Sequence, residues 1–264
     1  IDIGGPTMIR AAAKNFAHVS ILTNPDQYEE FLNELTNDGS ISFKSRRTLA
    51  KSAFEHTADY DASISNYFNQ IEEISLPEQL TISSSKSADL RYGENPHQSA
   101  SIYGTQKSYI DCFHGKELSY NNYLDIDSAL KLMADFKDDD PTVAIFKHTV
   151  SCGVATRPSL KEAYERAFAT DRTSPFGGIV IVNKALDLET AKSIDSIFTE
   201  IILAPDFEES VIDYLSEKKN RRLIKVLKYP DKEDLFQFRS IFGGVLYQQS
   251  DRGKLLPDDI QVVT

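Results

Sequence analysis

Lys147 and His148 stand side by side where an apolar run ends, in T-V-A-I-F-K-H-T-V-S-C-G from Thr142 to Gly153. Thr142 to Phe146 is β-branched or apolar without a polar break, the pattern of a buried strand. An ammonium and an imidazole at the end of such a strand carry a desolvation penalty unless something pairs or uses them. Together they offer a proton acceptor and a cation that can stabilise negative charge. Neighbours in a strand point to opposite faces, so both serve one site only where the strand ends or bends. Ser151-Cys152-Gly153 is the expected turn. A solvated lysine beside a hydrogen-bonded histidine is the alternative, and the pair alone does not choose. Cys152, four residues past His148, is a further nucleophile candidate. It is weakened because sequence neighbours at a turn rarely form a nucleophile–base pair.

Three other stretches gather polar and turn-forming residues. Ile1-Asp2-Ile3-Gly4-Gly5-Pro6 reads as a strand end and a glycine turn, with Pro6 opening an Ala-rich helix. Glycines ahead of a helix let free N–H groups face an anion. Asp2 precedes that turn and Lys14 lies about two turns along the helix, so folding could bring acid and base together. A cap and a surface lysine is the plain alternative. Leu90 to Gln98, L-R-Y-G-E-N-P-H-Q, packs turn formers with Arg91, Tyr92 and His97, as a binding loop or an ordinary surface loop. Asp171 to Gly178, D-R-T-S-P-F-G-G, is a further polar cluster that empties into an apolar run, Ile179 to Val182.

The elements that must position these residues alternate in type. Helices are expected from the Asn24 cap to about Leu35, from Ser42 to about Asn69, Leu124 to Phe136, Ser159 to Ala169, Asp187 to Phe198 and Phe207 to Leu215. Strands are expected at Val19 to Leu22, Ser99 to Tyr103, Thr142 to Phe146, Ile179 to Val182, Glu200 to Leu203 and Leu223 to Leu227. A last apolar segment covers Ile241 to Tyr247. Residues 70–88, with Pro77 and S-S-S-K-S, read as a linker. The alternation implies an α/β layer architecture, in which ligands gather at the carboxyl ends of strands.

A net charge of −11 over 264 residues argues against a general nucleic-acid binder, while leaving room for a local cationic pocket for a phosphorylated small molecule. No run approaches the ~18–20 apolar residues of a membrane span, so no membrane partner is expected. Cys112 and Cys152 form no metal spacing, and His18, His56, His97, His114 and His148 stand singly, so no metal is expected. A reduced, cytoplasmic protein is the simplest expectation. Dinucleotide, Walker, zincin and nucleophile-elbow signatures are missing from the sequence. Ile1 at the start and Q-V-V-T at the end look like cuts through a longer polypeptide.

Five segments taken together, I-D-I-G-G-P-T-M-I-R-A-A-A-K-N, L-R-Y-G-E-N-P-H-Q, L-S-Y-N-N-Y-L-D-I-D-S-A, F-K-H-T-V-S-C-G-V-A and D-R-T-S-P-F-G-G-I-V, closely resemble the bacterial bifunctional purine-biosynthesis family. That family joins AICAR formyltransferase to IMP cyclohydrolase. The resemblance implies the C-terminal part of a methylglyoxal-synthase-like cyclohydrolase domain over 1–75, a linker over 76–89, and the first cytidine-deaminase-like formyltransferase lobe over 90–264. It also implies that the family's protein extends beyond both ends of this chain. The isolated chain is then expected to lack ring-closing activity.

The implied chemistry is transfer of a formyl group from 10-formyltetrahydrofolate, as co-substrate, to the 5-amino group of AICAR. That amine is a poor nucleophile, so a base of near-neutral pKa is needed, which histidine supplies. By similarity His148 is the base and Lys147 stabilises the oxyanion; an adjacent ammonium would favour the neutral imidazole. Arg91 and Tyr92 resemble the ribotide-binding pair, Phe176 and Gly177 a wall and close backbone against the substrate base, and Glu200 an acidic substrate contact. For the cyclohydrolase, which closes the ring with loss of water, Lys14 is implied as proton acceptor, with Asp2 and Ile3 contacting the nucleotide. AICAR and IMP-like ribotides, folate and a homodimer with a shared active site are the implied partners. Two rivals remain. A zinc deaminase needs a C-x-x-C ligand pair that two isolated cysteines cannot supply. A non-catalytic ribotide-binding or assembly module is the other.

Overall fold

The computed structural model describes residues 1–230, 236–251 and 253. They fall into two units, Ile1–Ser85 and a second that begins at Lys86. The first is built from α1 (Gly4–Lys14), α2 (Tyr28–Asp38) and α3 (Phe43–Ile71). Asn24 accepts the Asp26 amide ahead of α2, and Ser42 accepts the Ser45 amide to start α3, as the sequence signals require. Ala13 of α1 meets Ala50 and Ala53 of α3, small side chains that let two helices approach closely.

Two expectations fail in this unit. Ile1 to Ile3 form no strand, and the helix begins at Gly4 with Pro6 already inside its first turn. Val19 to Leu22 are likewise not a strand. An extended run needs a neighbour for its N–H and C=O groups, and among the described residues this unit offers no ladder.

The second unit contains a six-stranded mixed sheet. Its strands are β3 (Ile110–His114), β4 (Thr142–Lys147), β5 (Val150–Thr156), β6 (Gly178–Val182), β7 (Thr199–Ala204) and β8 (Arg222–Val226), in the spatial order β3-β8-β7-β6-β4-β5. β6, β7 and β8 are mutually parallel, whereas β4 is antiparallel to β5 and β6, and β3 to β8. Two antiparallel ribbons are separate from this sheet: β1 (Lys86–Leu90) with β2 (Ala100–Tyr103), and β9 (Phe236–Ile241) with β10 (Gly244–Gln249).

Alternation along the strands divides the core. Ala144 and Phe146 of β4 join Ile179, Ile181 and Ile201 under α4 (Tyr120–Met133). Val143 and Ile145 face the other way, with Val180, Val182 and Ile202, against α5 (Leu160–Thr170), α6 (Leu188–Ile194) and α7 (Glu209–Ser216). Helices on both faces explain why the central strands read as continuous apolar runs.

The sequence reading missed β1, β3, β5 and β9. β1 starts inside the segment read as linker, and I-D-C-F-H of β3 carries polar residues because it lies at an edge of the sheet. The closing Q-V-V-T lies outside the described residues. Gly153 belongs to β5 and not to a turn; a Cβ there would stand 2.0 Å from the Ala167 carbonyl oxygen of α5. Gly153→Ala must therefore push α5 off the sheet, with an expected loss of about 1–3 kcal/mol. A urea midpoint equal to that of the unaltered chain would disprove this close approach.

Candidate functional site

β4 runs against β6, so its carboxyl end meets the amino ends of β6, β7 and β8. Lys147, the Phe176–Gly178 turn, Glu200 and Arg222 consequently share one end of the sheet. The antiparallel pairing of β4 brings its end to where three other strands begin, so the Lys147–His148 pair at one strand's end and the 171–178 cluster ahead of another fall together.

The turn itself differs from expectation. Lys147 pairs with Val150, leaving His148 at φ +53° and Thr149 at φ +65° as a two-residue loop. Two left-handed central residues are the pattern of a type I′ hairpin turn, normally built from Asn and Gly. Ile145 pairs with Gly153 and Phe146 with Ser151, so Cys152 is the extra residue of a β-bulge. Ser151-Cys152-Gly153 is strand, because Gly153 is needed where β5 crosses under α5.

Lys147 Nζ donates to the Phe176 carbonyl at 2.5 Å. The Phe176 ring, 62% exposed, meets Phe198 with centroids 5.6 Å apart. Gly177, at φ +72°, donates its amide to the Phe198 carbonyl at 2.7 Å. An open pocket of ≈ 440 Å³ is lined by Lys147, His148, Val150, Ser151, Cys152, Asp171 and Ser174. Asp171 is held by the Ser174 hydroxyl and by the Ser174 and Thr173 amides, which together keep its carboxyl below the usual range. Burial pushes the Cys152 thiol up, with Asp171 adding and Lys147 opposing. A thiol so placed stays protonated at neutral pH, so Cys152 is not an activated nucleophile.

Glu200 Oε1 accepts from Asn122 Nδ2 at 3.1 Å and from Arg222 Nη1 at 2.8 Å. Arg222, only 5% exposed, also donates to the Lys116 and Glu117 carbonyls. Asn122 closes a reciprocal capping box with Ser119 at the start of α4. One turn on, Asp125 Oδ1 accepts the Thr149 amide at 2.6 Å. Burial raises the Asp125 carboxyl; the Thr149 amide and His148 oppose this, and Glu200 adds to it. Residues three apart share a helix face, so α4 presents Asn122 to Glu200 and Asp125 to the turn. The sequence reading did not single out Asn122, Asp125 or Arg222. The Ser119–Asn122 cap spacing followed by a carboxylate three residues later was the available signal for the first two.

Other predicted residues are carried outside the six-stranded sheet. Arg91 and Tyr92 follow β1 on the separate ribbon, with the guanidinium 5.5 Å from the Tyr92 ring centroid. Their loop is closed by Gly93 donating to the Gln98 carbonyl at 2.8 Å. Asp2, Ile3 and Lys14 belong to the first unit. Asp2 Oδ2 accepts the Gly5 amide at 3.1 Å, its own amide donates to the Tyr60 hydroxyl at 2.5 Å, and Ile3 is 71% exposed. Lys14 occupies the last turn of α1, where a cation complements the helix dipole. A rise of 1.5 Å per residue carries Lys14 roughly 15 Å from Gly4 along the helix. Asp2 beside the helix start and Lys14 in its last turn match the plain alternative of a cap and a surface lysine.

Among the described residues no group of three His, Cys, Asp or Glu side chains could hold a metal ion. No helix among them is long and apolar enough to cross a membrane.

The second unit is thus a mixed sheet covered by helices, with an ammonium, an imidazole, a carboxylate and an exposed aromatic ring brought to one end. The family model described as the AICARFT/IMPCHase bienzyme matches residues 12–264, and the chain belongs to that family. The bifunctional purine biosynthesis protein PurH of Caldicellulosiruptor saccharolyticus is 45% identical over 273 residues, covering 100% of this chain and 53% of its own length. The PurH of Chloroflexus aurantiacus is 46% identical over 265 residues, covering 100% and 51%. The chain spans about half the length of the curated relatives it matches. The resemblance drawn from five short segments is borne out at the level of the whole chain.

Proposed function

We propose that the second unit is one lobe of an AICAR formyltransferase site, of cytidine-deaminase-like architecture, and that the first belongs to an IMP cyclohydrolase domain of methylglyoxal-synthase-like type. The observation that carries the first assignment is the His148–Thr149 turn. It sets Lys147 and His148 at the same sheet end as Phe176, Gly177 and Glu200.

In the proposed reaction the 5-amino nitrogen of AICAR attacks the formyl carbon of 10-formyltetrahydrofolate. The carbonyl electron pair moves to oxygen, where Lys147 faces it. The lysine gives one N–H to the Phe176 carbonyl and retains two donors for the oxyanion. His148 takes the proton from the attacking amine. Collapse restores the carbonyl and expels N10 of the folate, which takes up a proton. Both bonds to Glu200 fall on Oε1, so its second oxygen has capacity for a ribose hydroxyl. Phe176 and Gly177 suit the flat base of the ribotide, and Arg91 with Tyr92 its phosphate or carboxamide.

Ring closure to IMP would use Lys14 as proton acceptor, with Asp2 and Ile3 against the nucleotide. Residues supplied from outside this chain, or by a second subunit of a homodimer, complete both sites. Two free thiols, Cys112 and Cys152, suit a reducing cytoplasm. The test is to follow a labelled formyl group from 10-formyltetrahydrofolate to AICAR in a full-length bifunctional protein carrying these residues. Label in the ribotide product is expected. Ribotide binding without any transfer would leave the assembly-module reading instead.

A further inference from the structure

The formyl transfer outlined above makes no use of Asp125, a half-buried carboxylate bonded to the very turn that carries His148. That turn is conformationally expensive. A β-branched residue at positive φ is an outlier, and Thr149 adopts φ +65° directly after His148 at φ +53°. Such backbone persists only where the surroundings over-determine it. Three bonds do so here. Asp125 Oδ1 accepts the Thr149 amide at 2.6 Å, Thr149 Oγ1 donates to the His148 carbonyl at 2.6 Å, and Lys147 is tied to the Phe176 carbonyl. The first and third reach outside the hairpin, and of these the first holds a left-handed residue itself, Thr149.

Asp125 is itself well anchored. Its neighbours on α4, Ile126 and Ala129, are packed in the core with Phe146 of β4. Asn122, one turn earlier, holds Glu200 at 3.1 Å. One rigid helix therefore fixes both the carboxylate proposed for the ribose and the turn proposed for the chemistry.

We propose that Asp125 is the positioning residue for His148: by accepting the Thr149 amide it holds the Lys147–Val150 turn in its left-handed form and so sets where the imidazole stands. The consequence for catalysis rests on the formyltransferase reading, whereas the holding of the turn stands on geometry alone. The field around this carboxylate is compatible with the role. Burial raises the Asp125 carboxyl above its ordinary value, the Thr149 amide and His148 oppose this and Glu200 adds to it; a carboxyl oxygen can accept the Thr149 amide in either protonation state.

The test compares Asp125→Ala, Asp125→Asn and Asp125→Ala with Thr149→Gly in a full-length bifunctional protein carrying these residues. Asp125→Ala is expected to lower kcat for formyl transfer by about 10- to 100-fold, the scale of a misplaced reacting group, with KM for AICAR within about threefold. Hydrogen exchange of the peptide spanning residues 142–153 should rise by about tenfold at its protected amides. Glycine adopts positive φ without strain, so adding Thr149→Gly should recover much of the lost kcat. Asp125→Asn keeps an acceptor oxygen and should fall between Asp125→Ala and the unaltered protein, which keeps the question answerable if the alanine variant does not fold.

A role confined to overall stability predicts no rescue by Thr149→Gly. The proposal is overturned by unchanged exchange in Asp125→Ala, by faster exchange with unchanged kcat, or by a double variant no better than the single one. A His148→Ala protein with full turnover would remove the formyltransferase reading, and the exchange measurement would still decide whether Asp125 holds the turn.

Discussion

His148→Ala is expected to reduce the turnover of formyl transfer by roughly 10²–10⁴-fold in a full-length protein, the usual span for losing a positioned general base. Ribotide binding should be largely retained, because the residues assigned to the ribotide are distributed over Phe176, Gly177, Glu200, Arg91 and Tyr92. Lys147→Ala should reduce turnover by about 10²–10³-fold, as when one oxyanion donor is lost. It also releases the Phe176 carbonyl from its 2.5 Å bond, so its KM should rise as well. The two variants differ in that respect, and steady-state kinetics with a parallel calorimetric titration of AICAR read the difference. Undiminished turnover in His148→Ala would remove it as the base. Lost turnover matched by an equal loss of binding would assign the pair to substrate recognition instead.

Asp195→Ala is expected to cost about 3–5 kcal/mol, the range for breaking a buried ion pair from one side. Arg221 is 2% exposed, and its guanidinium reaches Asp195 Oδ1 at 2.5 Å and the Thr199 carbonyl at 3.2 Å. Lys218 donates to the same carboxylate at 2.5 Å and the Tyr214 hydroxyl to its other oxygen at 3.1 Å. Arg221 Nη1 has no partner, so removing Asp195 leaves a buried cation with backbone contacts alone. Against a total of roughly 5–15 kcal/mol for a domain, this would bring the second unit close to unfolding. Replacing both partners, Asp195→Leu with Arg221→Met, should recover much of the loss, because no buried charge then remains. Urea unfolding of the three proteins measures it, and a double variant as unstable as the single one would show that the pair itself is not the cause.

The same carboxylate gives a pH dependence of defined sign. Burial pushes Asp195 up, but the bonds from Lys218 and Arg221 together outweigh it and hold the carboxyl below its ordinary value. The folded form therefore binds this proton less readily than the unfolded chain. Its contribution is complete above the unfolded carboxyl value, about 3.9, and is lost as pH falls through the lower folded value. The chain should lose stability on acidification below about pH 4, and Asp195→Asn should flatten that part of the profile.

Much of this protein is written in local sequence. T-V-A-I-F and G-I-V-I-V are apolar on both faces because helices cover both sides of the sheet, and that run is visible without coordinates. Caps at Asn24, Ser42 and Ser159 act through side chains within three residues, so α2, α3 and α5 were legible to within a few positions. Lys147 and His148 stood out by residue type and by their place at the end of an apolar run, and five short segments in one order were enough to indicate the family.

Strand direction was not legible. Whether β4 runs with or against β6 depends on pairing between residues more than thirty apart, and no local propensity encodes it. Yet this choice placed Lys147, Phe176, Glu200 and Arg222 at one sheet end. The turn was misplaced for a related reason. Gly153 looks like a turn former, but its missing side chain admits the Ala167 carbonyl, while His148 and Thr149 take the left-handed backbone usually left to glycine. Local chemistry thus determined which residues could act. Long-range contacts, above all Asp125 reaching from α4 to the Thr149 amide, decided that Lys147 and His148 end a strand and do not alternate along one.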